Sequence, residues 1–526
     1  AFNPIIAEAH DASHGIYDSQ TGETLIQGKS GLPIFVGVMA FAVKAVIEKV
    51  SSGDDLKEGD VYIFNDPYDG GTHLSDFRLV KPIFRDGAVF CYIASVGHWH
   101  DVGGNVPGNY NPEATESFQE GILIPPVKLF KEGKLNQDIV NILSANSRLP
   151  NSLYGDLNGQ INALDLGEER LHSLLDEYTQ EKITIALKEL RERAEKMMRQ
   201  HIGSLPNETI SVEDYLDNDG VTDDPLTLAI DLTIKGDKMT IDFSRSSSAC
   251  AGPVNISKST TIAATYVALK HIFIDVPANA GVLKPVEFII PEDSFLNVRA
   301  PKPVGGYTET ILRLIDVIFQ AFQNSASDKI NGCAYGTINA LSLSGYRKNG
   351  SRWVMFSFFG GGHGGHPEGD GLNHGNAPIS TATIPPLEIL EAAYPVQFTK
   401  WGLRPNSGGK GKHRGGLGAI YEIELLEEKA NAFLFGERGK FAPKGVIEGE
   451  EGALNQFYYG YEADDPPEKH LSPPLKSKIT GISLKKGQRV RLETPGGGGF
   501  GKSSERPLEK LNYDLEQGYV TETKND

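Results

Sequence analysis

The sequence predicts an α+β fold: a large mixed α/β protein with hairpin-rich sheets, a long helical segment near residues 158–202, and two or more subdomains. Three observations carry this reading. Apolar runs come in pairs separated by Asp-Gly or Gly-Asp, the mark of β-hairpins. Residues 158–202 instead place apolar side chains three and four apart, with Glu, Lys and Arg between them. The chain has 526 residues, too many for one ordinary core at ~150 residues per domain. The texture changes after Ser204-Leu205-Pro206, which places a boundary there between an N-terminal region, 1–205, and a Gly-rich, β-rich C-terminal region, 206–526.

In chain order, Met39, Val43, Val46, Ile47 and Val50 keep helical spacing. A short apolar strand runs from Asp60 to Asp66 and ends in a turn-forming cluster. Residues 79–84 and 88–96 form the arms of a hairpin, and Asp86-Gly87 supplies its positive-φ turn. The helical segment follows, with Leu171, Leu174, Leu175 and Tyr178, then Leu187, Leu190, Ala194 and Met197 on its apolar side. Residues 226–234 and 239–243 make a second hairpin, and helical patterns recur at 259–275 and 308–323. Glycine becomes dense between 359 and 418. A last strand run ends at Pro495-Gly496-Gly497-Gly498-Gly499-Phe500-Gly501.

Composition narrows the function classes. Hydrophobic residues at 39% and charged residues at 23% exclude wholesale disorder. Glycine is 59 of 526 residues, about 11% against a usual ~7%, and without a collagen period it signals tight turns and close backbone approaches. A net charge of −18, uninterrupted by any basic stretch, excludes a nucleic-acid groove. Cys91, Cys250 and Cys333 are too scattered for a disulfide framework or a CxxC metal site and fit a reducing, cytoplasmic compartment. No run of ~18 apolar residues predicts a membrane span. The opening Ala1-Phe2-Asn3-Pro4 has neither a basic n-region nor an apolar h-region, so no secretion signal is expected.

The thirteen histidines are unevenly placed, with most in three tight groups. The most informative group begins Asn65-Asp66-Pro67-Tyr68-Asp69-Gly70-Gly71-Thr72-His73-Leu74-Ser75-Asp76. It resumes after the hairpin as Gly97-His98-Trp99-His100-Asp101-Val102-Gly103-Gly104. The hairpin carries the chain out from Asp76 and back to His98, so the two loops can meet. His73, Asp76 and His98 then offer two imidazoles and a carboxylate, a donor set for Zn²⁺, Mn²⁺ or Fe²⁺. If residues 97–101 are extended, His98 and His100 share one face and Trp99 takes the other. The competing reading is a set of polar loop residues with separate hydrogen-bonding roles. In the second group, His10-Asp11-Ala12-Ser13-His14, Asp11 could complete the coordination. The third group, Gly360 to His374 with His363 and His366 between, could bring backbone amides to an anion or form a flexible or subunit-contacting loop. Ser407 to Gly416 adds local positive charge, read as a solvated turn. No Walker pattern, GxSxG elbow or nucleophilic Cys context is present.

The first histidine group resembles the NDPxxGGTHxxD motif of the hydantoinase B/oxoprolinase family. His98 to Gly104 with Pro107-Gly108 resembles its HxxDVGG…PG motif. Residues 118–129 (Phe118-Gln119-Glu120-Gly121 onward), Gly155-Asp156-Leu157, Glu391 to Pro395, Leu403 to Gly409 and the terminal glycines continue the match in order, from about residue 11 to 501. The resemblance implies a subunit of a hetero-oligomeric, ATP-dependent enzyme. Its partner would be a hydantoinase A-like ATP-binding subunit that phosphorylates a carbonyl or enol oxygen. Family members include hydrolases of hydantoins, 5-oxoproline and lactams, and carboxylases of ketones. Carried over, the family's metal ligands are Asp11, His73, Asp76 and His98. Phe35-Val36-Gly37 stands where many members have His-Leu-Gly.

The reading that follows is a metal-binding subunit whose enzyme hydrolyses an activated cyclic amide, with the metal lowering the pKa of its water. His100 or Asp101 would orient that water or move its proton. The alternatives are a subunit of an ATP-dependent ketone carboxylase and a non-catalytic scaffold. Because no nucleotide-binding motif is present, the purified chain alone should not turn over ATP. A coupled phosphate-release assay on contaminant-free protein checks this, and robust turnover would overturn the expected division of labour.

Overall fold

A computed structural model of the chain describes residues 2–28, 31–380, 383 and 385–521. The N-terminal region is built on a seven-stranded antiparallel sheet. Its strands are β1 (Ala12–Asp18), β2 (Thr24–Gln27), β3 (Val61–Phe64), β4 (Asp76–Arg85), β5 (Ala88–His98), β6 (Val127–Lys131) and β7 (Lys134–Leu135), in the order β2-β1-β5-β4-β3-β6-β7. The expected hairpin is present as β4 and β5. Asp86 and Gly87 both take positive φ, 51° and 79°, which matches the turn twist to the strand twist.

Alternation along these strands separates two cores. On one face Phe77, Leu79, Ile83, Cys91 and Ile93 pack with Leu153, Leu157, Leu164, Leu171 and Leu175. The other face contributes Tyr17, Val80, Tyr92, Ala94 and Val96 to a core shared with helix α1 (Pro33–Ser51) and with much of the C-terminal region.

The helical segment is longer than its sequence pattern and is broken. It forms α2 (Pro150–Tyr178) and α3 (Gln180–Gly203), divided at Thr179, whose φ is 67°. The two stripes serve different cores. Leu164, Leu171 and Leu175 of α2 cover the large sheet, whereas Ala194, Met198 and Ile202 of α3 join the shared core. One straight helix could not face both.

A second sheet follows, β11-β10-β9-β8, made of β8 (Glu208–Leu216), β9 (Leu226–Lys235), β10 (Lys238–Asp242) and β11 (Val286–Ile289). Helices α4 (Lys258–Ile272) and α5 (Tyr307–Ala321) lie near the expected positions and are buried along most of their length. Two further four-stranded sheets close the chain: β13-β12-β16-β18 and β14-β15-β19-β17. Their strands are β12 (Ala340–Tyr346), β13 (Arg352–Ser357), β14 (Val396–Leu403), β15 (Ala419–Leu425), β16 (Lys429–Phe435), β17 (Gln456–Tyr461), β18 (Lys478–Lys485) and β19 (Arg489–Glu493). The two sheets share a core in which Leu341, Leu343 and Met355 meet Tyr421, Ile423 and Leu492.

The dense glycines are neither an open anion loop nor a solvated turn. Segments from residues 360–365, 408–416 and 495–499 lie side by side and bond to one another through their backbones. Gly365 N–H donates to Gly498 O (2.9 Å), Gly497 N–H to Gly416 O (2.9 Å), Gly416 N–H to His363 O (2.7 Å) and Gly409 N–H to Gly497 O (2.8 Å). Those amides are therefore engaged. A Cβ on Gly497 would overlap the His363 carbonyl, so the requirement here is close approach of backbones. Gly497→Ala should cost about 1–3 kcal/mol, as overpacking does. Gly402→Ala, in a strand position with nothing within 4 Å of the added carbon, should stay within about 0.5 kcal/mol. Urea unfolding of both variants checks the contrast.

Candidate metal centre

Strand register builds the site. Asp76 at the start of β4 is the direct cross-strand partner of His98 at the end of β5. On the other side of β5, Ala12 pairs with Gly97, and His98 N–H donates to Asp11 O at 3.1 Å. Asp11, His98 and Asp76 therefore stand in one row across three adjacent strand ends. His73 enters from the loop before β4, where Asp76 N–H closes a turn onto His73 O at 3.3 Å.

The loop that carries His73 is held from several directions. Asn65 donates to Leu74 O (2.7 Å) and Ile122 O (2.8 Å) and accepts from Ile124 N–H (2.7 Å). Thr260 on α4 donates to Gly71 O at 2.9 Å. Gly70 has φ 81°, and a side chain there would strike Phe41 and Ala42 of α1. The opposite face fixes the second motif: Trp99 stacks on Phe77 with centroids 3.9 Å apart, and its Nε1–H donates to Gln160 Oε1 at 2.8 Å.

Ligand atoms of His73, Asp76 and His98 lie within 4.8 Å of one another, and all three residues are buried. His73 Nδ1 is 2.6 Å from Asp76 Oδ2, and His98 Nδ1 is 3.3 Å from Asp76 Oδ1. Yet His73 Nε2, His98 Nε2 and Asp11 Oδ1 are buried without a hydrogen-bond partner. Buried polar atoms are costly when left unpaired, and two imidazoles with carboxylate oxygen suit a borderline divalent ion. The residues present fit such an ion.

The electrostatics agree. Burial pushes the Asp76 carboxyl up, but His73 and His98 outweigh it and hold it well below the usual carboxylate range. Burial pushes Asp11 up to about 7, with His98 pulling it down and Asp76 adding to the rise. Burial lowers His100 to about 4, so it is neutral at pH 7, and its Nε2 has no partner. Asp101 is differently engaged. Its carboxylate accepts from Arg148 (3.0 Å), Gly103 N–H (3.2 Å) and Gly108 N–H (3.3 Å), which ties down the loop after β5. Phe35 lies in the shared core.

Three aromatic residues at the site were not singled out from sequence. Tyr307 lies edge-on to His73 at 4.8 Å and Tyr110 at 5.5 Å, while Phe356 stacks on His98 at 5.8 Å and on Tyr110 at 5.1 Å. Only Tyr110, six residues beyond Gly104, is close in sequence to a histidine motif. Tyr307 and Phe356 arrive from α5 and β13.

A family model described as hydantoinase B/oxoprolinase matches residues 1–503. The chain belongs to the hydantoinase B/oxoprolinase family. Within it, the chain is 30% identical to caprolactamase subunit beta of Pseudomonas jessenii over 526 residues, covering 98% of this chain and 88% of that one. The crystal structure of the ATP-dependent caprolactamase from the same organism superposes with a TM-score of 0.86 at 28% identity, over 98% of this chain and 89% of that one. An acetone carboxylase, in its nucleotide-free structure, gives a TM-score of 0.89 at 20% identity, over 99% of this chain and 75% of that one. At that identity the likeness concerns the fold. Among the described residues, no helix of this family member is long and apolar enough to cross a membrane.

Because Asp11 must lose a proton to act as a ligand, metal affinity should fall as pH drops through about 7. Zn²⁺ titration calorimetry at pH 6, 7 and 8 checks this, and Asp11→Asn should flatten the dependence. At pH 8, His73→Ala should abolish stoichiometric uptake. Full stoichiometry in that variant would place the site elsewhere.

Proposed function

We propose that this chain is the metal-binding subunit of an ATP-dependent enzyme that hydrolyses an activated cyclic amide such as a lactam, a hydantoin or 5-oxoproline. The observation that carries the proposal is the convergence of buried ligand atoms from His73, Asp76 and His98, beside which Asp11 Oδ1 is buried without a hydrogen-bond partner. The similarity to caprolactamase subunit beta along nearly the whole chain supports the substrate class, the dependence on ATP and the need for an ATP-binding partner subunit. That partner would phosphorylate the amide oxygen and turn a poor electrophile into one with a good leaving group.

His73, Asp76 and His98 would hold the ion, with Asp11 as a fourth ligand. A divalent ion there supplies Lewis acidity toward a carbonyl or phosphoryl oxygen and makes water a stronger acid at neutral pH. His100, neutral and two residues beyond His98, would accept a proton. Asp101 keeps the His100 loop in position through Arg148 and the backbone amides of Gly103 and Gly108. Tyr110, Tyr307 and Phe356 are buried and exclude bulk water, which strengthens every electrostatic interaction within the site.

The test is reconstitution with an ATP-binding partner and labelled bicarbonate, offering lactams, hydantoins and ketones in parallel. Ring-opened acid should form from a cyclic amide with ATP consumed and no label incorporated. Labelled carbon in an acid made from a ketone would replace hydrolysis with carboxylation, and no product from either class would leave a scaffold role.

A further inference from the structure

The tyrosines at the site come from distant segments, yet they share one brace. Asn109 accepts from Val102 N–H (2.9 Å) and donates to Gly103 O (2.7 Å) and Glu120 O (3.0 Å), closing the loop that presents Tyr110. The carboxylate of Glu120 then crosses to the start of α5. It accepts from Val304 N–H (3.0 Å) and Gly305 N–H (2.6 Å), immediately before Tyr307, the first residue of the helix. Gly306 N–H is bound in turn by Pro253 O at 2.9 Å. Glu120 is 2% exposed, and a Cβ on Gly305 would lie 2.7 Å from its Oε1. The contact has no slack.

Both phenol rings it places stand edge-on to His73, Tyr307 at 4.8 Å and Tyr110 at 5.5 Å. Thr72, which neighbours the Tyr307 phenol, donates its own hydroxyl to Asp76. Both phenols lie within electrostatic range of Asp76 and Asp11, and Tyr307 within range of Tyr110. Because Thr72 is already engaged with Asp76, the Tyr307 proton can turn to an arriving acceptor without orphaning the carboxylate.

We propose that Tyr110 and Tyr307 form a phenol pair that donates hydrogen bonds to an oxyanion held beside His73, with Glu120 as the residue that positions Tyr307. The ligand class is a carbonyl-derived or phosphoryl oxyanion. Two neutral, buried O–H donors suit developing negative charge, because they stabilise it without the cost of burying a cation. The inference rests on the metal-centre reading above.

The test uses the cobalt-loaded chain with acetohydroxamate as the oxyanion probe, read by visible absorption. Tyr307→Phe and Tyr110→Phe should each keep cobalt affinity within about twofold and bind acetohydroxamate about tenfold more weakly, the loss expected for one hydrogen bond to a charged acceptor. Glu120→Ala should reproduce the Tyr307→Phe loss. The double variant should be no weaker than Tyr307→Phe alone, since residues acting through one group do not add. If Glu120→Ala fails to fold, Glu120→Gln replaces it in the cycle. Unchanged acetohydroxamate affinity in Tyr307→Phe with cobalt bound would overturn the phenol pair, and additive losses would overturn the role of Glu120. Failure of the unsubstituted chain to take up cobalt would overturn the metal reading itself, and this inference with it.

Discussion

The direct pairing of Asp76 with His98 across β4 and β5 is the constraint on which the site depends. In an antiparallel pair a slip of one residue sends every side chain to the opposite face. Register here is fixed by two cores at once. Phe77, Leu79, Cys91 and Ile93 must face α2, while Val80, Tyr92, Ala94 and Val96 must face the shared core. A slip would deliver each set of side chains to the core shaped for the other. The same alternation that buries the sheet therefore aligns Asp76 with His98, and Asp11, just before β1, extends the row.

That alignment has an electrostatic cost. A carboxylate and two imidazoles, each at most 3% exposed, meet where water cannot compensate them. The surrounding loops are correspondingly rigid. Asn65 ties the His73 loop to Ile122 and Ile124, and Asp101 with Arg148 ties the loop after β5 to the start of α2. Each brace joins segments far apart in sequence. His73, Asp76 and His98 are held in place by the fold itself, the preorganisation that the proposed metal site requires.

The C-terminal region contributes the enclosure. Phe356 covers His98, Tyr307 covers His73, and the helix carrying Tyr307 is locked deeper down by Arg313 against Asp214 at 3.2 Å and by Asp316 with Arg438. The site is therefore a joint product of two stretches of chain: His73, Asp76, His98 and Tyr110 from the N-terminal region, and Tyr307 and Phe356 from beyond residue 300. The glycine segments let backbones pack where side chains would hold them apart, which leaves the C-terminal sheets free to close around a shared core.

Much of this was legible in the sequence. The α+β class followed from hairpin signals and helical periodicity, and the meeting of the two histidine loops followed from a hairpin that returns His98 to Asp76, because local turn chemistry and side-chain alternation are properties of short segments. The break at Thr179 was not legible, since the apolar pattern continues through it and only the presence of two separate cores explains it. The glycine bundle was read as loops because glycine composition alone does not distinguish a turn from a close approach. Tyr307, Phe356 and the reach of Glu120 to Val304 were decided by tertiary structure alone. Each of these contacts joins segments far apart in the chain, and no spacing rule connects positions brought together only by packing.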